Sequence, residues 1–220
     1  MTDRRVERLL ARASLLAIPL LLFVVLLLIV AWLHPTNFPS LYGLILAFMF
    51  TPAGKFSAIG FIGSGMGVWE TVAILGTVDV LVGLLLILNF EGLYRVPRLG
   101  PAVARLEARG AILLADRGWI RRLAFVGLAV VVAVPFQGTG AVAGAFMGRL
   151  LGVGRWRTLA AIAMGGYGGV AVVAGATSGV AAALRANLVA GLGLIALLLL
   201  AGLAGLVAWR NHHIRRAEQA

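Results

Sequence analysis

Residues 123–151 read LAFVGLAVVVAVPFQGTGAVAGAFMGRLL. The run is apolar and carries no charge before Arg149, so it suits a bilayer interior. Its middle is broken by Pro135-Phe136-Gln137-Gly138-Thr139-Gly140. Each arm holds about 10–13 residues, and at about 1.5 Å per residue neither spans roughly 30 Å of hydrocarbon. Two readings are open: a kinked helix that crosses once, or a hairpin that enters and leaves on one face.

The arginines choose between them. Residues 91–122 form the long polar segment, with seven Arg and three acids. Arg4, Arg5, Arg8 and Arg12 precede an uncharged stretch, 14–33. That stretch is too long for a signal-peptide core, and no small-x-small cleavage site comes after it. It reads as an uncleaved span, with Trp32 at the interface and His34-Pro35-Thr36-Asn37 ending it. Residues 41–65 are apolar and broken by Thr51-Pro52-Ala53-Gly54-Lys55, and 66–90 hold Glu70 and Asp79. Arg155 and Arg157 lead into small apolar residues, 158–183; Arg185 and Asn187 precede a last span, 188–209, and a tail with Arg210, Arg215 and Arg216. If 41–65 and 123–151 each crossed once from an inside N-terminus, the seven arginines of 91–122 would lie outside, against the positive-inside rule. If each re-enters, 17 arginines lie inside and Arg185 alone outside.

The sequence therefore predicts an all-α polytopic integral membrane protein of four transmembrane helices plus two re-entrant helical hairpins. It is one domain, 1–220. Its parts are the tail and first span (1–40), the first hairpin plus span (41–90) and a cytoplasmic amphipathic loop (91–122). The second hairpin plus span (123–183) and the last span with its basic tail (188–220) complete it. Both termini are expected on the cytoplasmic side of the membrane. The hairpins open from opposite faces, and each turns at a proline with Ala six residues later (Ala58, Ala141). That is the outline of an inverted repeat, as in many transporters.

Composition agrees. Hydrophobic residues make up 61% and charged residues 12%, which excludes a soluble or disordered chain. The net charge of +11 would suit nucleic acid, but its arginines lie between apolar runs and read as topology. No nucleic-acid partner is expected. Cysteine is absent, so disulfides and thiol chemistry are excluded.

Ionisable groups inside a bilayer cost about 2.5–3.5 kcal/mol on insertion scales, so they mark function or pairing. Asp79 lies near the middle of its span and Lys55 at the first hairpin tip. Opposite charges at that depth are expected to pair, either as a proton or cation relay or as a static tie. Glu70, about one turn from the outer end, falls on the other helix face. The tips themselves, with Pro52, Gly54, Pro135, Gln137, Gly138, Thr139 and Gly140, free backbone groups that need protein, water or substrate as partners. Two tips entering from opposite faces would meet near the midplane and form a substrate or ion site. Gly140, Gly144, Gly148 and Gly152 recur every four residues, as do Gly165/Gly169 and Gly175/Gly179, and read as close helix packing. Residues 101–117 read as an amphipathic stretch on anionic lipid. The histidines, His34, His212 and His213, lie outside the spans or at their ends, and no HExxH occurs. No catalytic residue, metal or cofactor is expected, and the chain is not expected to be an enzyme.

The second tip and the residues after it, Val134-Pro135-Phe136-Gln137-Gly138-Thr139-Gly140-Ala141 through Gly152 to about 180, resemble the prokaryotic small multi-drug export protein family. Thr51-Pro52-Ala53-Gly54-Lys55, Asp79 and Asn89-Phe90 extend the resemblance over about 41–182. It implies kinship with the DedA-type membrane proteins, whose fold pairs re-entrant hairpins with spans in inverted halves. Many relatives have Pro before the tip Gly-Thr-Gly and an aromatic two residues after it, where this chain has Gln137 and Val142. They also tend to carry an acid beside the first-hairpin Lys, where Phe56 stands; if that acid is the coupling site in them, this chain either lacks coupling or leaves it to Asp79. The resemblance implies a secondary exporter of a small molecule in a prokaryotic cytoplasmic (inner) membrane, with proton coupling as one form of it. A DedA-type carrier of phosphorylated lipid, for which Arg149 near the inner mouth is the candidate to meet the lipid phosphate, and a non-transporting scaffold are the alternatives. Expected partners are the bilayer, anionic lipid at its inner face and an unidentified substrate; a homo-oligomer stays open.

Overall fold

The structure is a computed structural model, and it describes residues 3–51, 53–93, 118–135 and 140–217. Pro52, Gln137, Gly138 and Thr139 of the expected tips, and the expected amphipathic stretch 101–117, lie outside the described residues. Among the described residues all regular structure is helical. Among the described residues four helices are long and apolar enough to cross a membrane, over Leu15–Leu33, Val68–Phe90, Arg155–Ala186 and Leu188–Gly205. The chain divides into two compact units, 1–174 and 175–220.

In the first unit, α1 (Asp3–Leu33) takes in the basic N-terminal residues as well as the first span. α2 (Phe38–Phe50) starts with Pro39 in its first turn and stops at Thr51. The Thr51 hydroxyl donates to the Ala47 carbonyl at 2.7 Å and accepts from the Ala53 N–H at 3.3 Å, so the broken end keeps backbone partners. Gly54 has φ +46°, and a 3-10 turn (Gly54–Phe56) leads into α3 (Ser57–Gly63). The chain doubles back here: Gly60 lies against Leu44, and the Asn37 amide reaches the Ser64 carbonyl at 3.5 Å. α4 (Val68–Leu93) is next. The later segment also breaks, into α5 (Gly118–Ala133) and α6 (Ala141–Leu150). Gly144 lets α6 close on Val132 of α5, so this segment folds back as well. α7 (Arg155–Ala186) comes after it.

α4 is the axis of this unit. α1 runs antiparallel to it, with the Asn89 amide on the Leu15 carbonyl at 3.2 Å, and Val30 in a core with Val72, Leu75 and Val78. α6 runs parallel to it: Ala141 lies beside Gly83, and the Phe146 ring meets Phe90 edge-on at 5.0 Å. α7 crosses antiparallel, with Tyr167 over Gly76 and Ile162 over Gly83. The α2–α3 pair thus opens toward the start of α4 and the α5–α6 pair toward its end. Lys55, just after the first break, and Ala141, just after the second, meet at the middle of α4, beside Asp79.

In the second unit, the last turns of α7 meet α8 (Leu188–Ala217) at Asn187. The Asn187 side-chain oxygen accepts the Val189 N–H at 2.9 Å, an N-cap, and Gly191 packs on Leu184.

Candidate functional site

The 3-10 turn after Gly54 carries Lys55 into the protein, and the middle of α4 presents Asp79. Lys55 Nζ donates to Asp79 Oδ2 at 2.8 Å, with side chains 3% and 8% exposed. The other carboxylate oxygen, Oδ1, accepts the N–H of Ala141, the first residue of α6, at 3.4 Å. A carboxylate at a helix start is stabilised by the unpaired N–H groups there. One carboxylate therefore holds three elements: the first turn, α4 and the start of α6.

Three glycines make the room. A Cβ on Gly140 would lie 3.2 Å from Asp79 Oδ1 and 3.7 Å from Lys55 Nζ. One on Gly166 would lie 3.1 Å from both Cβ and Oδ2 of Asp79. One on Gly169 would lie 2.8 Å from Lys55 Cε and overlap the Ala133 carbonyl oxygen. Beside the pair a cavity of about 320 Å³ is lined by Phe48, Phe50, Lys55, Asp79, Gly140 and Val142, among others. Nearby, the buried Ser57 hydroxyl has no hydrogen-bond partner among the described residues.

Of the residues singled out from the sequence, Lys55, Asp79, Gly54 and Gly140 come together here. Glu70 does not. It sits at the start of α4, where its Oε2 accepts the Gly67 N–H at 2.9 Å and caps the helix. Pro135 lies in the break between α5 and α6. Arg149 lines a different cavity, of about 220 Å³, near Phe90, about 16 Å along α4 from Asp79 at 1.5 Å per residue. Among the described residues no three His, Cys, Asp or Glu side chains gather to hold a metal.

The glycine ladder is not one packing face. Gly140 faces the ion pair, Gly144 packs on Val132 and Ile162, and Gly148 packs on Thr158. Gly152 leaves the helix altogether, with φ +62°, donating to the Arg149 carbonyl at 3.0 Å while Val153 donates to that of Gly148 at 2.8 Å. That is a Schellman turn, which favours a residue without Cβ. Gly165 and Gly169 do pack closely, on Ala129, Val132 and Ala133 of α5, whereas a Cβ at Gly175 or Gly179 meets nothing.

The same turn occurs at the end of α3. Gly65 has φ +90° and donates to the Ile62 carbonyl, and Met66 donates to that of Phe61, both at 3.1 Å. The two turns open matching sequences: Gly65-Met66-Gly67-Val68-Trp69-Glu70-Thr71-Val72-Ala73 and Gly152-Val153-Gly154-Arg155-Trp156-Arg157-Thr158-Leu159-Ala160. Thr71 and Thr158 are both buried, and both hydroxyls donate back into the turn. Trp69 and Trp156 are 80% and 73% exposed. Matching the halves on their prolines pairs Ala58 with Ala141 and misses this register; the shared Gly-x-Gly-x-Trp-x-Thr-x-Ala is the signal that finds it. In this register Asp79 matches Gly166, Lys55 matches Val142 and Gly54 matches Ala141. Gly166 and Gly169, which the sequence pattern assigned to no site, are thereby placed.

A family model described as "Putative small multi-drug export protein" matches residues 55–172. No curated protein and no solved structure matches the chain significantly.

Proposed function

The chain belongs to the small multi-drug export protein family, and on that footing we propose that it is a secondary carrier exporting a small molecule across a prokaryotic cytoplasmic membrane. The observation that carries the reading is the buried Lys55–Asp79 pair at the edge of a cavity between two broken helical segments. We read those segments as re-entrant hairpins. α2 and α6 hold 13 and 10 residues, too short to cross, and the two segments open toward opposite ends of α4. The repeated turn supports an inverted repeat of DedA type, with its two exposed tryptophans at opposite membrane interfaces. The arginine-bearing start of α1, end of α6 and start of α7 then lie on the cytoplasmic side.

The cavity sets aromatic and aliphatic side chains, Phe48, Phe50 and Val142, around one carboxylate. That suits an amphipathic organic cation, held by Asp79 in place of Lys55. A proton on Asp79 removes the charge that ties Lys55 to α4, and so couples proton entry to movement of the first tip. Gln137 and Thr139 are the polar side chains that the sequence offers between Pro135 and Gly140.

The test is reconstitution into liposomes with ethidium as probe and an imposed pH gradient. Gradient-dependent ethidium flux, lost in Asp79→Asn and reduced in Gln137→Ala, is expected. Flux no faster than in empty liposomes overturns the reading. Translocation of a labelled phosphorylated lipid in the same vesicles would favour the lipid carrier, and neither activity the scaffold.

A further inference from the structure

We propose that the cavity beside Lys55 and Asp79 takes a zwitterion: an apolar molecule with an ammonium and a carboxylate close together, as in an α-amino acid. The proposal rests on the carrier reading above and names the substrate class of the same site. A cation held by Asp79 has to bring an anion for Lys55.

The ion pair leaves much of its bonding capacity unused. An ammonium has three donors, and among the described residues Asp79 Oδ2, at 2.8 Å, is the one acceptor of Lys55 Nζ. Two N–H groups are left over on a side chain only 3% exposed. An ionised carboxylate has about four acceptor positions. Lys55 fills one of those on Asp79, and the Ala141 N–H reaches Oδ1 at 3.4 Å. Both residues line the cavity of about 320 Å³, and no other of its described lining residues is charged. Gly140 lies on the same wall, where a Cβ would stand 3.2 Å from Oδ1 and 3.7 Å from Nζ. Buried donors without acceptors are costly, so a ligand that satisfies them gains by doing so.

Net charge selects among ligands. The pair sums to zero in an apolar interior. A bare cation on Asp79 leaves Lys55 without its counter-ion, and a bare anion on Lys55 does the same to Asp79. Either one adds a net charge where an ion is expensive. A zwitterion adds none. Its ammonium takes Asp79, its carboxylate takes the free N–H groups of Lys55, and every charge keeps an opposite neighbour. Nζ and Oδ2 stand 2.8 Å apart, so a short link between the ligand's two charges lets it meet both at once. Phe48, Phe50, Val82 and Val142 receive its apolar part.

The experiment uses the purified full chain in neutral detergent at neutral pH. The probes are phenylalanine, phenethylamine and phenylpropionate, which share one ring and are a zwitterion, a cation and an anion. Titration calorimetry gives affinities, and thermal unfolding gives the shift in Tm. Phenylalanine is expected to bind at least about tenfold more tightly than either analogue. Lys55→Met should exchange that preference for phenethylamine, and Asp79→Asn for phenylpropionate, because each leaves a single charge to be matched. A pair that only ties the fold together would change no preference. Since both variants risk the fold, the unaltered chain decides alone: equal affinity for phenylalanine and phenethylamine, or no binding of phenylalanine, overturns the proposal. Flux in liposomes separates this outcome from the fate of the carrier reading. Gradient-dependent ethidium flux without a preference for phenylalanine keeps the carrier and removes the zwitterion. A preference for phenylalanine without flux of either compound keeps the binding site and removes the carrier.

Discussion

Asp79 and Gly166 hold the same position in the two halves, each fourteen residues after the left-handed glycine of its turn, Gly65 or Gly152. They also touch: a Cβ on Gly166 would lie 3.1 Å from Asp79 Oδ2. α4 and α7 cross antiparallel at this point, with Gly76 under Tyr167 and Gly83 under Ile162. Around the same point Lys55 and Val142, and Gly54 and Ala141, line one cavity. One half supplies both charges and the other supplies the room for them.

The ion pair should obey the arithmetic of buried charges. Lys55→Met and Asp79→Asn each leave one charge without its partner, at a cost of about 3–5 kcal/mol. The double variant removes both, and should recover much of the stability lost by either single change. Thermal unfolding of the four proteins in detergent measures this. Two harmless single variants would show that the pair does not hold the tips.

Neighbouring glycines on α7 should differ sharply. A Cβ at 169 runs into the Ala133 carbonyl oxygen, which is backbone and cannot swing away, and one at 168 meets nothing. Gly169→Ala should destabilise by about 1–3 kcal/mol, as overpacking does. Gly168→Ala should be neutral or slightly stabilising, because alanine favours a helix. Folded yield and unfolding temperature check both.

The two Schellman turns predict a second contrast. Gly152→Ala forces a Cβ into the left-handed region, at φ +62°, and should cost about 1–2 kcal/mol. Gly154→Ala, two residues on, meets no neighbour and needs no left-handed backbone, so its loss should be smaller. Unfolding of the pair under identical conditions reads the difference.

Membrane orientation is open to direct labelling, since the chain has no cysteine. Ser40→Cys, Ser64→Cys and Arg185→Cys should react with an impermeant maleimide from outside intact cells. Gly110→Cys, Gly154→Cys and Arg215→Cys should react after the membrane is opened. Labelling of position 110 from outside would contradict the re-entrant reading.

The helical class, the four long apolar helices and both helix breaks are legible in the residues alone. They arise from local chemistry: apolar runs of about 18 residues or more with few charges, and Pro and Gly clusters that helices do not carry through. Lys55 and Asp79 are legible too, because charges in apolar runs stand out singly. Their meeting, 24 residues apart in the chain, is a matter of packing. So are the second hold of Asp79 on the start of α6 and the ring of Gly140, Gly166 and Gly169 around the pair. Glycine at a site and glycine at a helix seam look the same in a sequence. What separates them is the atom that a Cβ would strike, and that is set by how α4, α6 and α7 cross. The same holds for Glu70 and Arg149. Both are charges near helix ends, and the packing around each made one a cap and the other the wall of a cavity.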